Sequence, residues 1–368
     1  MTTDAVTVAK RLVQRGAWEL YSARVLARRW LLDRVCSPRR RQRLLRESVS
    51  FEDGPDRCFT IAAPVGIEPR FGYLVRGRST IIEDALMGSE CVRQRALHHA
   101  FSGVPSLRQL AADERRKQVL TGPLITLRHT FESIYYDVVI DCIGALALLD
   151  ELDELADVPI VIGATLRDSS VMTSIVDAGV VDEDRLIVQG DRWLASDVSI
   201  SFVLHDPLSE RSLRRTAAYV ARAVSSPSLS SSRTKLYVAR GARGVGPHLL
   251  NESELVTELE RRGFEAIDPG LMSWTDQYHR FRAATHVVGV HGTALTNVLF
   301  RAPDHMCVLE LTPPQHDEDA FQTMSAELGY SFSRLTGADP SPGGTGPGFV
   351  VDIELLLKTV DAWDDSAV

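Results

Sequence analysis

From Val158 to Leu311 the chain repeats one pattern: a short apolar run, a break of glycine or polar residues, then a stretch with helical spacing. The runs at Val158–Ile162, Lys235–Ala239, His286–Val290 and Cys307–Leu311 do not alternate apolar with polar along their length. Such strands need cover on both faces, which the intervening helices supply. The pattern therefore dictates an α/β fold of doubly wound parallel sheets. With 368 residues, more than one core is expected. The natural division is the Ser-rich stretch 226–232, a composition that suits a flexible linker. It separates an α/β domain over 51–225 from a second over 233–340, with a basic helical segment at 1–50 and a loop and last helix at 341–368.

Within the first domain the residues predict strands near 73–75, 124–127, 158–162, 185–188 and 198–204. Helices are predicted from Tyr135, where an apolar helix runs into the acidic stretch 150–157, and over 169–178 and 210–224. The second domain is expected to run strand 235–239, helix 252–262, strand 264–267, helix 274–284, strand 286–290, helix 294–300 and strand 307–311. A last helix is expected over 352–363, and Asn251 with Glu254 forms the pattern of a capping box.

Charge narrows the function classes. The net charge of −8 divides into a head, residues 1–46, with 12 Lys/Arg against 3 Asp/Glu, and a remainder with 29 against 46. An acidic body argues against general nucleic-acid binding. The head interleaves Arg24, Arg28, Arg29 and Arg39-Arg40-Arg41 with Trp18, Tyr21 and Trp30, so it is suited either to an anionic membrane surface or to packing on the acidic body of its own chain. No apolar run reaches about 18 residues and the N-terminus has no secretory pattern, so a cytoplasmic protein, peripheral on a membrane if the head binds one, is expected. Five scattered cysteines without C-x-x-C spacing suggest neither a disulfide framework nor a zinc site.

The segment with most chemistry is Thr285-His286-Val287-Val288-Gly289-Val290-His291-Gly292-Thr293-Ala294-Leu295-Thr296-Asn297, an apolar strand entering a glycine turn and then a helix. Ligands of α/β sheets bind at such carboxyl ends, and free N–H groups at a helix start favour an anion. Gly289 and Gly292 are expected to let backbone approach it closely. Arg240 and Arg243 follow the strand Leu236-Tyr237-Val238-Ala239, where guanidinium groups would neutralise a diphosphate. Glu310 ends another strand, where its carboxylate would accept bonds from ribose hydroxyls. The spacing is neither the Rossmann glycine fingerprint nor a P-loop, which counts against a nucleotide-cofactor oxidoreductase.

Together with Asn251-Glu252-Ser253-Glu254-Leu255, Arg262-Gly263-Phe264, Gln277 and Val308-Leu309-Glu310-Leu311, these residues resemble glycosyltransferase family 61. The resemblance is close over about 80 residues and extends weakly upstream over Tyr135–Leu152 and Val158–Trp193. It implies a GT-B fold, two Rossmann-like domains facing a cleft, and metal-independent transfer with inversion from a nucleotide-sugar donor to a glycan, lipid-linked or small-molecule hydroxyl. It also implies donor contacts from Arg240, Arg243, Gly289, His291, Gly292, Thr293, Ala294, Asn297 and Glu310, with no cofactor beyond the donor itself. There are two departures. Thr293-Ala294 stands where the family commonly has a second glycine. Bacterial members often read Tyr-His-Trp before the apolar helix, whereas here Tyr135-Tyr136-Asp137-Val138 puts Asp137 at the histidine's place.

Inverting transfer needs a base for the acceptor hydroxyl, and Asp137 is the candidate. Tyr136 and Asp141 stand beside it on the acceptor side, and Arg240 would stabilise charge on the departing diphosphate. The missing histidine keeps a second reading open, a transferase-like subunit that binds nucleotide sugar or a partner without catalysis. The Asp-x-Asp triplets at Asp182 and Asp317 read as a turn and as an acidic stretch after Pro313-Pro314, so no metal is expected. His98-His99 reads as surface, and Gln277 as a local helix tie.

Overall fold

The apolar run after the acidic stretch forms the strand Ile160–Gly163, buried at all four residues. It pairs in parallel with Pro123–Thr126 on one side and Leu186–Gln189 on the other. Val198–Val203 lies parallel beyond Pro123–Thr126, and Arg57–Ile61 closes that edge antiparallel. Taken in chain order, the four parallel strands occupy the spatial order 3-2-1-4. The direction of winding thus reverses between Pro123–Thr126 and Val198–Val203, and at such a point the loops leaving the carboxyl ends part to opposite faces. This computed structural model describes residues 57–61, 65–76, 80–81, 117–204, 206–224, 233–240, 248–314, 316, 318–341 and 348–365. The basic head, His98-His99, the linker 226–232, Arg243 and Asp317 lie outside the described residues.

The C-terminal sheet is parallel throughout. Thr234–Val238, Phe264–Ile267, Ala284–Val290, Cys307–Thr312 and Ser331–Thr336 take the spatial order 2-1-3-4-5. Because successive strand side chains point to opposite faces, Leu236, Val238, Val287 and Val308 enter one apolar cluster, while Tyr237, Val288, Val290 and Leu309 enter another. The sheet is therefore covered on both sides, as its uninterrupted apolar runs require. Winding reverses between Thr234–Val238 and Ala284–Val290, which pair directly.

The two sheets are not packed as separate bodies. One buried cluster contains Ile125, Ile140 and Leu213 of the first half together with Trp274, Leu295 and Phe300 of the second. The Tyr135 hydroxyl joins them by hydrogen bonds. It donates to Asn297 Oδ1 and accepts from Trp274 Nε1–H at 3.2 Å.

Several local expectations change. The segment near Tyr73 forms Leu74–Arg76, within a small sheet of short, mainly antiparallel strands rather than in the main sheet. Residues 293–301 form a 3₁₀ helix rather than an α-helix. Asn251 makes no capping bond to its helix. Its amide bonds both ways with the backbone of Val351, at 2.9 and 3.2 Å, so a tertiary tie replaces the capping box. The helix from Tyr135 carries π-type turns over Val138–Ile143 between α-helical pieces.

Candidate functional site

The C-terminal reversal point is where the sequence places its glycine turn. Arg240 leaves the carboxyl end of Thr234–Val238, His291 and Gly292 leave that of the adjacent Ala284–Val290, and Arg240 Nη1 donates to the His291 carbonyl at 3.0 Å. A Cβ on Gly292 would meet nothing closer than the Val290 carbonyl at 3.8 Å and Arg240 Cζ at 4.0 Å. The turn backbone at Gly292 therefore lies within van der Waals reach of the guanidinium, with nothing crowding a Cβ there. Leu295 N–H closes the first turn on the Gly292 carbonyl, so the N–H groups of Thr293 and Ala294 precede any helical acceptor. Thr293 is exposed and Ala294 half-buried. A diphosphate oxygen could be received here by backbone donors and a guanidinium together. Burial also desolvates Arg240 and lowers its proton affinity, but a guanidinium keeps its charge in proteins.

Three residues expected to touch donor do other work. Gly289 lies inside its strand, where a Cβ would fall 2.8 Å from Leu295 Cδ2 and 3.1 Å from Val238 Cβ, so it permits strand–helix packing rather than approach to an anion. Asn297 is fully buried and its amide is committed, accepting from Tyr135 and donating to Gln277 Oε1 at 2.9 Å. Gln277 in turn donates to the Pro269 carbonyl at 2.8 Å, a wider role than a local helix tie. Glu310 is also fully buried, with Oε1 2.6 Å from His291 Nδ1 and Oε2 accepting from Arg334 Nε at 2.7 Å. Burial alone would raise the Glu310 carboxyl's proton affinity, but the bonds from His291 and Arg334 outweigh it and hold the group below the usual carboxylate range. It orients His291 and, being fully buried, presents no surface to a ribose.

His291 is thus held from several sides. Its Nε2 lies 3.6 Å from Glu318 Oε2, and its ring packs against His316 with centroids 3.9 Å apart and against Phe321 at 5.4 Å. His316 Nε2 is 2.9 Å from the Glu318 carbonyl, and its proton affinity is lowered by burial and then by His291. Arg334, His316 and Glu318 were not singled out from the sequence. Arg334 reaches Glu310 from the edge strand, and His316 and Glu318 reach His291 from a loop, only in the fold.

A second constellation lies in the first half. Asp137 and Asp141 sit on the helix that follows Pro123–Thr126, both buried, and His129 comes from the loop between. His129 Nε2 is 3.7 Å from Asp141 Oδ2, and neither Asp141 oxygen has a hydrogen-bond partner. Burial first, then the charge of Asp137, drives the Asp141 carboxyl well above its usual range. Tyr136 connects the two constellations. Its ring meets Phe321 edge-to-face at 6.1 Å. Burial raises its hydroxyl's proton affinity, and Asp141 and Asp137 on one side and Glu318 and Asp319 on the other add to the rise.

Two sets of ligand-type atoms lie within 4.8 Å of one another, His129/Asp137/Asp141 and His291/Glu310/His316. In the first, His129 Nδ1 accepts the Phe131 N–H at 3.1 Å. The ring proton of a neutral imidazole then sits on Nε2, leaving no lone pair facing the carboxylates for a metal. In the second, Glu310 is already neutralised by Arg334 and His291 Nδ1 is engaged. Asp182, of the first Asp-x-Asp triplet, caps a turn by accepting from Asp184 N–H at 3.0 Å. No helix among the described residues is long and apolar enough to cross a membrane.

No curated protein matches the chain. The Glycosyltransferase 61 family model matches residues 138–309, from the buried helix that bears Asp141 through the turn at His291 to Leu309, inside the strand Cys307–Thr312. Over that stretch the chain is similar to glycosyltransferase family 61.

Proposed function

We propose that this chain is a glycosyltransferase of GT-B organisation, with donor bound at the C-terminal reversal point and acceptor brought to the Asp137 side. The observation that carries this reading is the meeting of Arg240 with the His291-Gly292 turn at the reversal point of a parallel sheet. The nucleotide diphosphate takes the N–H groups of Thr293 and Ala294 and the Arg240 charge. His291, fixed by Glu310, stands at the same turn. The acceptor is a hydroxyl of a glycan, a lipid-linked saccharide or a small metabolite. The basic head, with its aromatic residues, suits an acceptor presented at a membrane from the cytoplasmic side.

Asp137 takes the proton of that hydroxyl as its oxygen attacks the anomeric carbon. The bond from that carbon to the diphosphate oxygen breaks on the opposite face, so configuration inverts. Charge developing on the departing diphosphate is met by Arg240 and the helix-start N–H groups, which supply the electrostatic stabilisation without a divalent ion.

A thermal-shift screen across UDP, GDP, CMP and dTDP sugars, followed by mass spectrometry of released nucleotide, tests the reading. At least one sugar nucleotide should both stabilise the protein and be turned over. Asp137→Asn should lower turnover by about 10² to 10⁴-fold while donor stabilisation persists. Stabilisation without any product would instead favour the subunit that binds and does not catalyse, a reading the absence of histidine at position 137 keeps in play. Unchanged turnover in Asp137→Asn would remove this residue from the mechanism.

A further inference from the structure

The residue at position 137 cannot supply an imidazole, yet an imidazole stands next to it. His129 leaves the carboxyl end of Pro123–Thr126 at the reversal point of the N-terminal sheet, is 2 % exposed, and faces Asp141 with Nε2 at 3.7 Å. Its orientation is set from the other side, because Nδ1 accepts the Phe131 N–H. That bond places the ring proton on Nε2, the edge turned toward the carboxylates. Asp141 is 1 % exposed, and its oxygens make no hydrogen bond. A buried carboxylate in that state is costly unless it carries a proton or a cation stands near it.

We infer that His129 is a positioning residue for this transferase: through Asp141 it sets the proton affinity of the Asp137–Asp141 pair, and so the state in which Asp137 meets the acceptor hydroxyl. The inference rests on the transferase reading for its catalytic consequence, but the coupling itself needs no substrate. In the resting enzyme the close carboxylates share a single proton, held on the deeper Asp141, which leaves Asp137 as the anion. When the acceptor oxygen bonds to the anomeric carbon, its proton passes to Asp137, and the electron pair of the breaking bond leaves with the nucleotide diphosphate. The extra proton then leaves the pair to solvent before the next turn. The Nε2–H of His129, or its imidazolium form, favours the ionised pair, so losing it makes the pair hold protons more tightly.

Other charged groups face the same pair and must remain in place for the comparison. Tyr136 is acted on by the charges of this pair and by those of Glu318 and Asp319 of the C-terminal half. Cys142 shares its surroundings with Glu132 and Arg128, which are bonded to one another at 3.1 Å.

The substitutions divide the histidine's two edges. His129→Asn keeps an oxygen near the Nδ1 position for the Phe131 N–H but removes the Nε2 edge. His129→Gln restores an N–H near Nε2. Carboxyl carbon NMR of the full chain labelled at aspartate, with signals assigned from Asp137→Asn and Asp141→Asn, follows the pair without substrate. The titration midpoint of the pair should rise by about one pH unit in His129→Asn, and His129→Gln should recover part of the shift. With whichever sugar nucleotide the wild type turns over, the acid limb of the rate profile should move upward by the same amount in His129→Asn. A midpoint unmoved in folded His129→Asn would overturn the inference, as would an acid limb that stays put while the midpoint moves. If the wild type releases nucleotide from no sugar nucleotide, the transferase reading fails separately, and the NMR titration still decides the coupling.

Discussion

Replacing Glu310 by glutamine isolates what holds His291 in place. The carboxylate is fully buried and accepts from His291 Nδ1 at 2.6 Å and Arg334 Nε at 2.7 Å. Glutamine keeps the shape but offers one acceptor and one NH₂, so one of the two donors must face another N–H. Hydrogen bonds to charged groups contribute about 1.5–3 kcal/mol and neutral ones about 1 kcal/mol. One bond weakened and the other lost amounts to about 3 kcal/mol. The Arg334 side chain is 23 % exposed, so solvent screens part of its share and a loss of about 2–3 kcal/mol is expected. At the few degrees per kcal/mol typical of domains this size, the melting temperature should fall by roughly 5–10 °C.

The pH dependence has a definite sign. Because the folded protein holds Glu310 below its ordinary carboxylate range, this stabilisation is present at neutral pH and is lost as pH falls through the folded-state value. The gap between wild type and Glu310→Gln should therefore be widest near pH 7.5 and close toward acid pH. Urea unfolding at steps from pH 7.5 to pH 4 measures it. A gap of equal size at both ends, or none at pH 7.5, would refute the buried His291–Glu310–Arg334 arrangement.

Two further substitutions test the scaffold. A Cβ at Gly163 would lie 1.8 Å from Glu132 Oε1, and Arg128 bonds to that carboxylate at 3.1 Å, so it cannot swing away freely. Gly163→Ala should destabilise by about 1–3 kcal/mol, read by urea unfolding, and an unchanged midpoint would contradict the contact. Tyr135→Phe removes the hydroxyl that joins the halves and strands Trp274 Nε1–H and Asn297 Oδ1. It should cost about 1–3 kcal/mol by the same assay and alter Trp274 emission, whereas wild-type stability would mean that the junction is held by apolar packing alone.

The main strands were legible because burial on both faces leaves an unbroken apolar run, and this is true of Ile160–Gly163 and of Ala284–Val290. Ser331–Thr336 was not legible. As an edge strand it is at most half-buried and reads Ser-Phe-Ser-Arg-Leu-Thr, with no apolar run to announce it. The turn at His291 and the guanidinium at Arg240 could be placed together because both follow strands of one sheet. Glu310 was placed correctly on its strand but given the wrong neighbours, since Arg334, 24 residues away, arrives only when the edge strand pairs. Asn251 carries a local capping signal that a contact to Val351, 100 residues on, overrides. His129 had no signal at all. It sits in a short irregular segment between strand and helix, where neither period nor spacing marks a buried side chain.

The account depends on a nucleotide diphosphate seated where Arg240 meets the turn after Val290. Hydrogen–deuterium exchange with mass spectrometry, with and without the sugar nucleotide that stabilises the protein most, locates the ligand on the chain. Slowed exchange at the Thr293 and Ala294 amides and in peptides bordering Arg240, lost in Arg240→Ala, is the predicted result. Protection confined to other segments, or unchanged by Arg240→Ala, would contradict it.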